Sequence, residues 1–503
     1  MTDAASNAQT ARETRQRVGD AKAPAGLSWA LFEFARNPYF MLIVTYVIPP
    51  YFANAIVGDP VLGQAAVADA TTWAGIIGAI TAPVLGAMMD RGGARKPLMA
   101  VFVGMLMVSG LALWWSISSA VPNPADPNTP IFHPPTVGLG VTWTMVFLVL
   151  GFVGYTYSEM MHNAMLRTSG RPESLSQISG NGIGLGQLSS ALCLIGLAVV
   201  AISAPVLTQA ESNFFLPRAT GPFVAIWLLV FVIPFFVYVP DGAPPGGTWV
   251  GAAKQVFSKN GKVDPLGAVL GCYGYIRGLF RTFPETMKYL AACLIYKDGI
   301  TALLALAGVY SAGVLGWGFT ETVLYGIWAS IFGVIGGLWL AGFLDRRLGP
   351  RQAIMLQLAL LFVAVVIALG TTKESLLYGL IPSGFKVHGL GLFDTLSDMF
   401  YLVVVACVAA LAAANISTSR YMMVTLAPKD RVAEFYGLFA MSSTATVWLG
   451  PLLTGWATRT FNDQRIGLSP LLLLLGVGLA LMFTLKPETG ARGKLEADAP
   501  PAH

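Results

Sequence analysis

Charge is scarce in this chain. Only 11% of its 503 residues are Asp, Glu, Lys or Arg, against 55% hydrophobic, too little polar surface to cover a soluble globule of this size. Cysteine is scarce as well. Cys193, Cys272, Cys293 and Cys407 all fall in apolar segments without metal-knot spacing, which argues against a disulfide framework and a cysteine metal centre. Also lacking are a phosphate-binding Gly-x-x-x-x-Gly-Lys-Ser/Thr loop, a Gly-x-Ser-x-Gly elbow and a His-Glu-x-x-His pair, so neither an ATP-driven pump nor an enzyme is expected, and no cofactor or metal is called for.

Long hydrophobic runs take the place of these features. Mean hydropathy is +0.65, and a helix needs roughly 20 apolar residues to cross the bilayer core. The runs are continuous and rich in Leu, Ala, Val and Gly rather than alternating, which favours helices over a barrel. The sequence predicts an all-α integral membrane protein with twelve transmembrane helices, at roughly 28–56, 68–90, 97–120, 138–166, 178–204, 222–240, 288–313, 318–344, 352–371, 398–424, 433–458 and 466–486. The first 27 residues carry both signs of charge without an apolar centre, so they read as a cytoplasmic tail and not a signal peptide.

Gly86-Ala-Met-Met-Asp90-Arg91-Gly-Gly93-Ala-Arg95-Lys96 lies between the second and third runs, and a looser copy, Ala341-Gly-Phe-Leu-Asp345-Arg346-Arg347-Leu-Gly349-Pro-Arg351, lies between the eighth and ninth. The repetition suggests two related six-helix bundles, 28–240 and 288–486, in pseudo-symmetric arrangement. A linker at 241–287 joins them, with an apolar stretch at 266–280 that suits an interfacial helix, and tails at 1–27 and 487–503 flank them. Placing both termini in the cytoplasm puts Arg91, Arg95, Lys96, Arg346, Arg347 and Arg351 inside and leaves only Arg218, Lys373, Lys386, Arg459 and Arg465 on the opposite face. The net charge of +5 is thus a topology signal, and no nucleic-acid partner is expected. Gly180, Gly182, Gly184 and Gly186 in the fifth run predict a smooth helix surface for close packing.

The Gly-x-x-x-Asp-Arg-x-Gly-x-Arg/Lys loop resembles the cytoplasmic signature of the major facilitator superfamily. Ser28-Trp-Ala-Leu-Phe-Glu33-Phe-Ala-Arg36-Asn37, Ile178-Ser-Gly-Asn-Gly-Ile-Gly-Leu-Gly186, Trp227 to Pro234, Tyr296-Lys297-Asp298-Gly299, Glu434-Phe-Tyr-Gly437 and Gly450-Pro451 are similar to its vacuole-effluxer-like branch, whose name-giving members export amino acids from fungal vacuoles during autophagy. The resemblance spans about residues 28 to 486 and implies a major facilitator fold, a midplane substrate site and alternating access. This chain departs from the branch where Glu33 replaces an Asp and Arg36 and Lys297 replace Asn.

Ions inside a membrane helix are costly and mark function by default. Glu33 and Arg36, three residues apart, share a helix face and can pair. Lys297 and Asp298 lie on the first helix of the second half, which in this superfamily also lines the central cavity, so a four-charge cluster is expected there. Glu33, Arg36, Asn37, Asn163, Lys297 and Asp298 are the candidates for binding substrate or coupling protons, a cation clamping an anionic group and an acid carrying the proton. The alternative is a structural network that locks helices together. The resemblance makes Gly86, Asp90, Arg91, Gly93, Arg95, Asp345 and Arg346 a cytoplasmic gate. Glu159 and His162 are lesser candidates, and Met161, His162 and Met165 are a soft-metal set of low weight against simple packing.

The reading is a secondary active transporter, proton-coupled and working as a monomer, in the inner membrane of a bacterium. It would move a small zwitterionic or anionic solute, an amino acid or short peptide favoured by the resemblance. A solute sensor without flux and a transition-metal transporter are the alternatives.

Overall fold

The computed structural model describes residues 24–91, 94–117, 120–121, 131–132, 139–170, 174–241, 258–259, 262–263, 277–389, 391–427, 435, 438–439 and 446–486. The helices run in the order α1 Pro24–Val57, α2 Pro60–Arg91, α3 Arg95–Ala112, α4 Leu139–Met165, α5 Leu175–Ser203, α6 Phe215–Tyr238, α7 Pro284–Val314, α8 Phe319–Leu348, α9 Pro350–Leu369, α10 Leu396–Leu426, α11 Leu449–Phe461 and α12 Gln464–Phe483. Among the described residues, ten of these are long and apolar enough to cross a membrane. The expected span at 433–458 includes residues outside the description, that at 68–90 includes side chains outside it, and α2 and α11 are not among the ten. The expected interfacial helix at 266–280 lies almost wholly outside the described residues.

The chain separates into two compact units. Unit one holds Met1–Pro265 with Leu304–Ile327 and Thr458–Gln464; unit two holds Leu266–Leu303, Trp328–Ala457 and Arg465–His503. Within unit one, the first six helices are therefore joined by short pieces of α7, α8 and α11. Fully buried Gln64 on α2 donates to Thr458 Oγ1 and to the Gln464 carbonyl, both at 3.0 Å, and Arg459 pairs with Asp69.

Helix α1 shows how sequence shapes a path through the core. Pro38, Pro49 and Pro50 cannot donate to the helical ladder, and the chain continues through wider π turns at Tyr39–Tyr46 and Phe52–Val57. Pro38 has no N–H to offer the Phe34 carbonyl one turn back. The Trp227 indole on α6 supplies the donor at 3.0 Å. Helix α5 lies close along the same helix because Gly182 and Gly186 leave room: a Cβ at Gly182 would sit 3.0 Å from the Trp29 ring, and one at Gly186 would sit 3.3 Å from the Asn37 Cβ. Gly180 and Gly184 meet nothing within 4 Å, so two of the four glycines in the ladder do the packing.

Helix starts follow local chemistry. Asp59 accepts from the Val61 and Leu62 amides ahead of α2, both at 2.8 Å, and Thr395 with Asp398 forms a capping box on α10.

Candidate functional site

Three residues apart on α1, Glu33 and Arg36 meet side by side. Arg36 Nη2 donates to both carboxylate oxygens of Glu33 at 2.9 Å. The guanidinium is only 2% exposed and lies over the Tyr155 ring of α4, 4.3 Å from its centroid. Its Nη1 reaches the Tyr155 carbonyl at 3.3 Å and Glu159 at 3.5 Å, while Nε is buried and, among the described residues, has no hydrogen-bond partner. An arginine has five N–H donors, so Arg36 keeps hydrogen-bonding capacity beyond Glu33. The Glu159 side chain is 47% exposed, which makes its side of the cluster the open one.

His162, one turn along α4, completes the group. Its ring is stacked on Trp29 at 3.9 Å and on Phe32 at 4.5 Å. The Trp29 indole donates to the His162 carbonyl and His162 Nε2 donates to the Trp29 carbonyl, each at 2.9 Å. A carbonyl only accepts, so Nε2 carries a proton. The other nitrogen, Nδ1, lies 3.2 Å from Glu33 Oε1 and has no other partner among the described residues. Two bare acceptors at that distance repel, and the contact is attractive only with a second proton on one of them. With both acids ionised, Glu33, Glu159 and Arg36 sum to one negative charge, which a proton shared by His162 and Glu33 would neutralise.

Nearby, Asn37 donates to Ser190 on α5 at 3.0 Å. Asn163 is exposed, and among the described residues no hydrogen bond joins it to this group.

In unit two, adjacent Lys297 and Asp298 on α7 point apart. The Lys297 ammonium lies 3.3 Å from the centroid of the Phe439 ring. Asp298 Oδ2 accepts the Gly450 amide at 2.8 Å in the first turn of α11, where a carboxylate suits both the unbonded N–H groups and the helix dipole. Gly450 allows this approach, since a Cβ there would be 2.8 Å from the Ala302 Cβ. Asp298 Oδ1 is buried and, among the described residues, has no hydrogen-bond partner. One turn before it, Tyr296 and Cys293 share a buried hydroxyl–thiol contact at 2.9 Å, and Tyr296 meets Ser419 of α10 at 2.8 Å. Each pair of expected charges thus has partners in its own unit, and the acid and histidine gathered by Glu33 and Arg36 are Glu159 and His162.

Of the expected gate residues, Gly93 and the side chains of Asp90 and Arg91 lie outside the described residues, and of Gly86 only its place in α2 is described. Arg95 and Lys96 open α3, and both their amides donate to Asp241, a residue the sequence reading placed in the linker. Arg95 Nη1 also reaches the Ala164 carbonyl at 3.4 Å, and Lys96 Nζ the Phe236 carbonyl at 2.7 Å. These bonds tie the ends of α3, α4 and α6 together. In the second copy Arg346 is exposed, and Asp345 Oδ1 is buried without a partner among the described residues.

Comparison with known proteins bears on what this helical membrane architecture belongs to. The family model for "Vacuole effluxer Atg22 like" matches residues 145–495. The chain belongs to this family. Autophagy-related protein 22 of Coccidioides immitis is 25% identical over 331 residues, which cover 64% of this chain and 50% of that protein. The Yarrowia lipolytica protein of the same name is 26% identical, with 69% and 56% covered. The chain thus spans about half the length of these curated relatives. The MFS-type transporter YxiO of Bacillus subtilis is 21% identical with 92% of this chain and 95% of that one covered. Among solved structures, a D-xylose–proton symporter aligns with a TM-score of 0.62 at 14% identity, over 93% of this chain and 99% of that one. A bacterial homologue of the iron transporter ferroportin, in an inward-facing state, gives 0.56 at 13%, over 92% and 97%. The Atg22-like chain has the major facilitator fold and is a multi-pass membrane protein.

Proposed function

We propose that this Atg22-like protein is a proton-coupled secondary transporter of small zwitterionic solutes, amino acids first among them, with Arg36 and Glu159 as the substrate-facing pair and the His162–Glu33 contact as the proton carrier. The observation that carries the reading is the buried Arg36 guanidinium, fixed by Glu33 yet holding Glu159 only loosely on the open side. A substrate carboxylate arriving there takes the donors that Glu159 and the unpartnered Nε leave available, and Glu159 turns to the substrate ammonium. The group stays neutral when the substrate is a zwitterion and the His162–Glu33 contact holds its proton. Losing that proton leaves a net negative charge in a low-dielectric site, which opposes the loaded state and so links proton and solute. Asp298, with one oxygen uncommitted, is a second carboxylate for solute or proton, with Lys297, Asn37 and Asn163 as lesser contributors. Asp90, Arg91 and Arg95 with Gly86 and Gly93, and Asp345 with Arg346, act in this reading as the cytoplasmic gate. In this reading the protein lies in a bacterial inner membrane and works as a monomer, with both termini in the cytoplasm, an orientation the cation distribution supports.

The test is amino-acid uptake into proteoliposomes under an imposed pH gradient. Gradient-stimulated uptake is expected, lost in Arg36→Lys because an ammonium cannot replace the planar fork. His162→Asn is expected to keep solute exchange while losing the response to the gradient. Binding without flux would make the protein a sensor, and flux unaltered by either substitution would remove the cluster from the pathway.

A further inference from the structure

The described residues between α9 and α10, 370–389 and 391–395, are held in a fixed shape. Ser375–Leu376 pairs with Ile381–Pro382, Lys386 bridges Thr395, the Val387 amide donates to the Asp394 carbonyl at 2.8 Å, and the Ser383 and Ser397 hydroxyls meet at 2.6 Å. Asp394 is partly buried and engages Lys386, His388 and the Gly391 amide. A loop this well tied should turn its apolar side chains inward, yet Leu380 is 80% exposed and Phe385 59% exposed, with Ile381 and Val387 open beside them.

Position decides what covers them. The loop leaves α9 at the end opposite to Arg346, Arg347 and Arg351, so it lies where that span meets a water–lipid boundary. Tyr378 leans back over the rim, its hydroxyl donating to the Val366 carbonyl at 3.0 Å, one turn inside the span Pro350–Leu369. Arg465 donates to the Leu369 carbonyl at 2.7 Å with its guanidinium 5.6 Å from the Tyr378 ring. Lys373 and Lys386 are exposed around the apolar tip, with Glu374 the one exposed acid among the described residues of this segment. Aromatic rings and cations at the level of a helix end, beside apolar side chains, match the chemistry of the phospholipid headgroup and upper acyl layer. We infer that this loop is an interfacial anchor that inserts Leu380, Ile381, Phe385 and Val387 into the phospholipid leaflet on that face, continuous with the lipid-facing sides of α9 and α10.

Hydroxyl-radical footprinting of the wild-type full-length chain in phosphatidylcholine nanodiscs tests this without a substitution. Leu380 and Phe385 are expected to be modified at least tenfold more slowly than in the urea-unfolded chain; rates within threefold overturn the anchor. A nitroxide on Leu380→Cys, in a Cys272→Ser, Cys407→Ser background, then separates lipid from protein cover. Greater access to oxygen than to a water-soluble nickel chelate is expected. Access to the chelate above oxygen, or shielding from both as under a second copy or a protein partner, overturns the proposal.

Discussion

Helices α1 and α7 each carry an acid and a base deep in an apolar chain, and the two solve the same problem differently. On α1 the spacing of three puts Glu33 and Arg36 on one face, and they bond directly at 2.9 Å. On α7 the spacing of one turns Lys297 and Asp298 about 100° apart around the helix. Neither can serve the other, so one rests on the Phe439 ring and the other on the Gly450 amide. The α1 group is compensated by opposite charge, the α7 pair by a quadrupole and a helix dipole. Removing one member should therefore be far more damaging on α1 than on α7, and that contrast is open to measurement by thermal unfolding in one detergent.

Arg36→Met should give the largest effect. It strands Glu33 and Glu159 against each other, and breaking a buried ion pair costs about 3–5 kcal/mol. The double variant Glu33→Gln, Arg36→Met removes both charges and should recover most of that loss. A double variant as unstable as the single would mean that packing of Arg36 against Tyr155, and not charge, is what holds α1. Next comes Trp227→Phe, which keeps the ring but takes the donor from the Phe34 carbonyl, at about 1–3 kcal/mol. Adding Pro38→Ala returns an N–H to the ladder and should restore stability in part; equal losses with and without it would show that the indole bond is incidental.

These contrasts also show what could be read from the residues alone. The spacing of Glu33 and Arg36 announced their pairing, whereas the π turns around the three prolines of α1 emerge only in the structure. That spacing did not name the groups that finish the job. His162 looks like packing because a single histidine on an apolar helix carries no local signal, and its partners Trp29 and Glu33 lie more than a hundred residues earlier in the chain. Trp227 has the same difficulty, since Pro38 reveals a missing donor but not which helix supplies one. The glycine ladder was half legible: a helix face at spacing four selects Gly182 and Gly186, but the sequence does not say which face α1 takes. Asp241 sits in a Pro/Gly-rich boundary that reads as linker, although its carboxylate caps α3.

On the α7 side the expected effects are smaller and differ in kind. Gly450→Ala should cost about 1–3 kcal/mol by overpacking against Ala302, pushing the amide away from Asp298. Lys297→Met should cost about 0.5–2 kcal/mol, the worth of a buried cation over an aromatic face, and Lys297→Arg should recover much of it because a guanidinium stacks well on Phe439. Asp298→Asn should be nearly silent in the melt, within about 1 kcal/mol. Its amide oxygen still accepts the Gly450 N–H, and the change removes a buried charge that no cation in its own helix pairs. Should Asp298→Asn instead unfold the protein as readily as Arg36→Met does, the carboxylate charge itself would be holding α11 in place, and the distinction between an ion-paired α1 and a dipole-held α7 would fall.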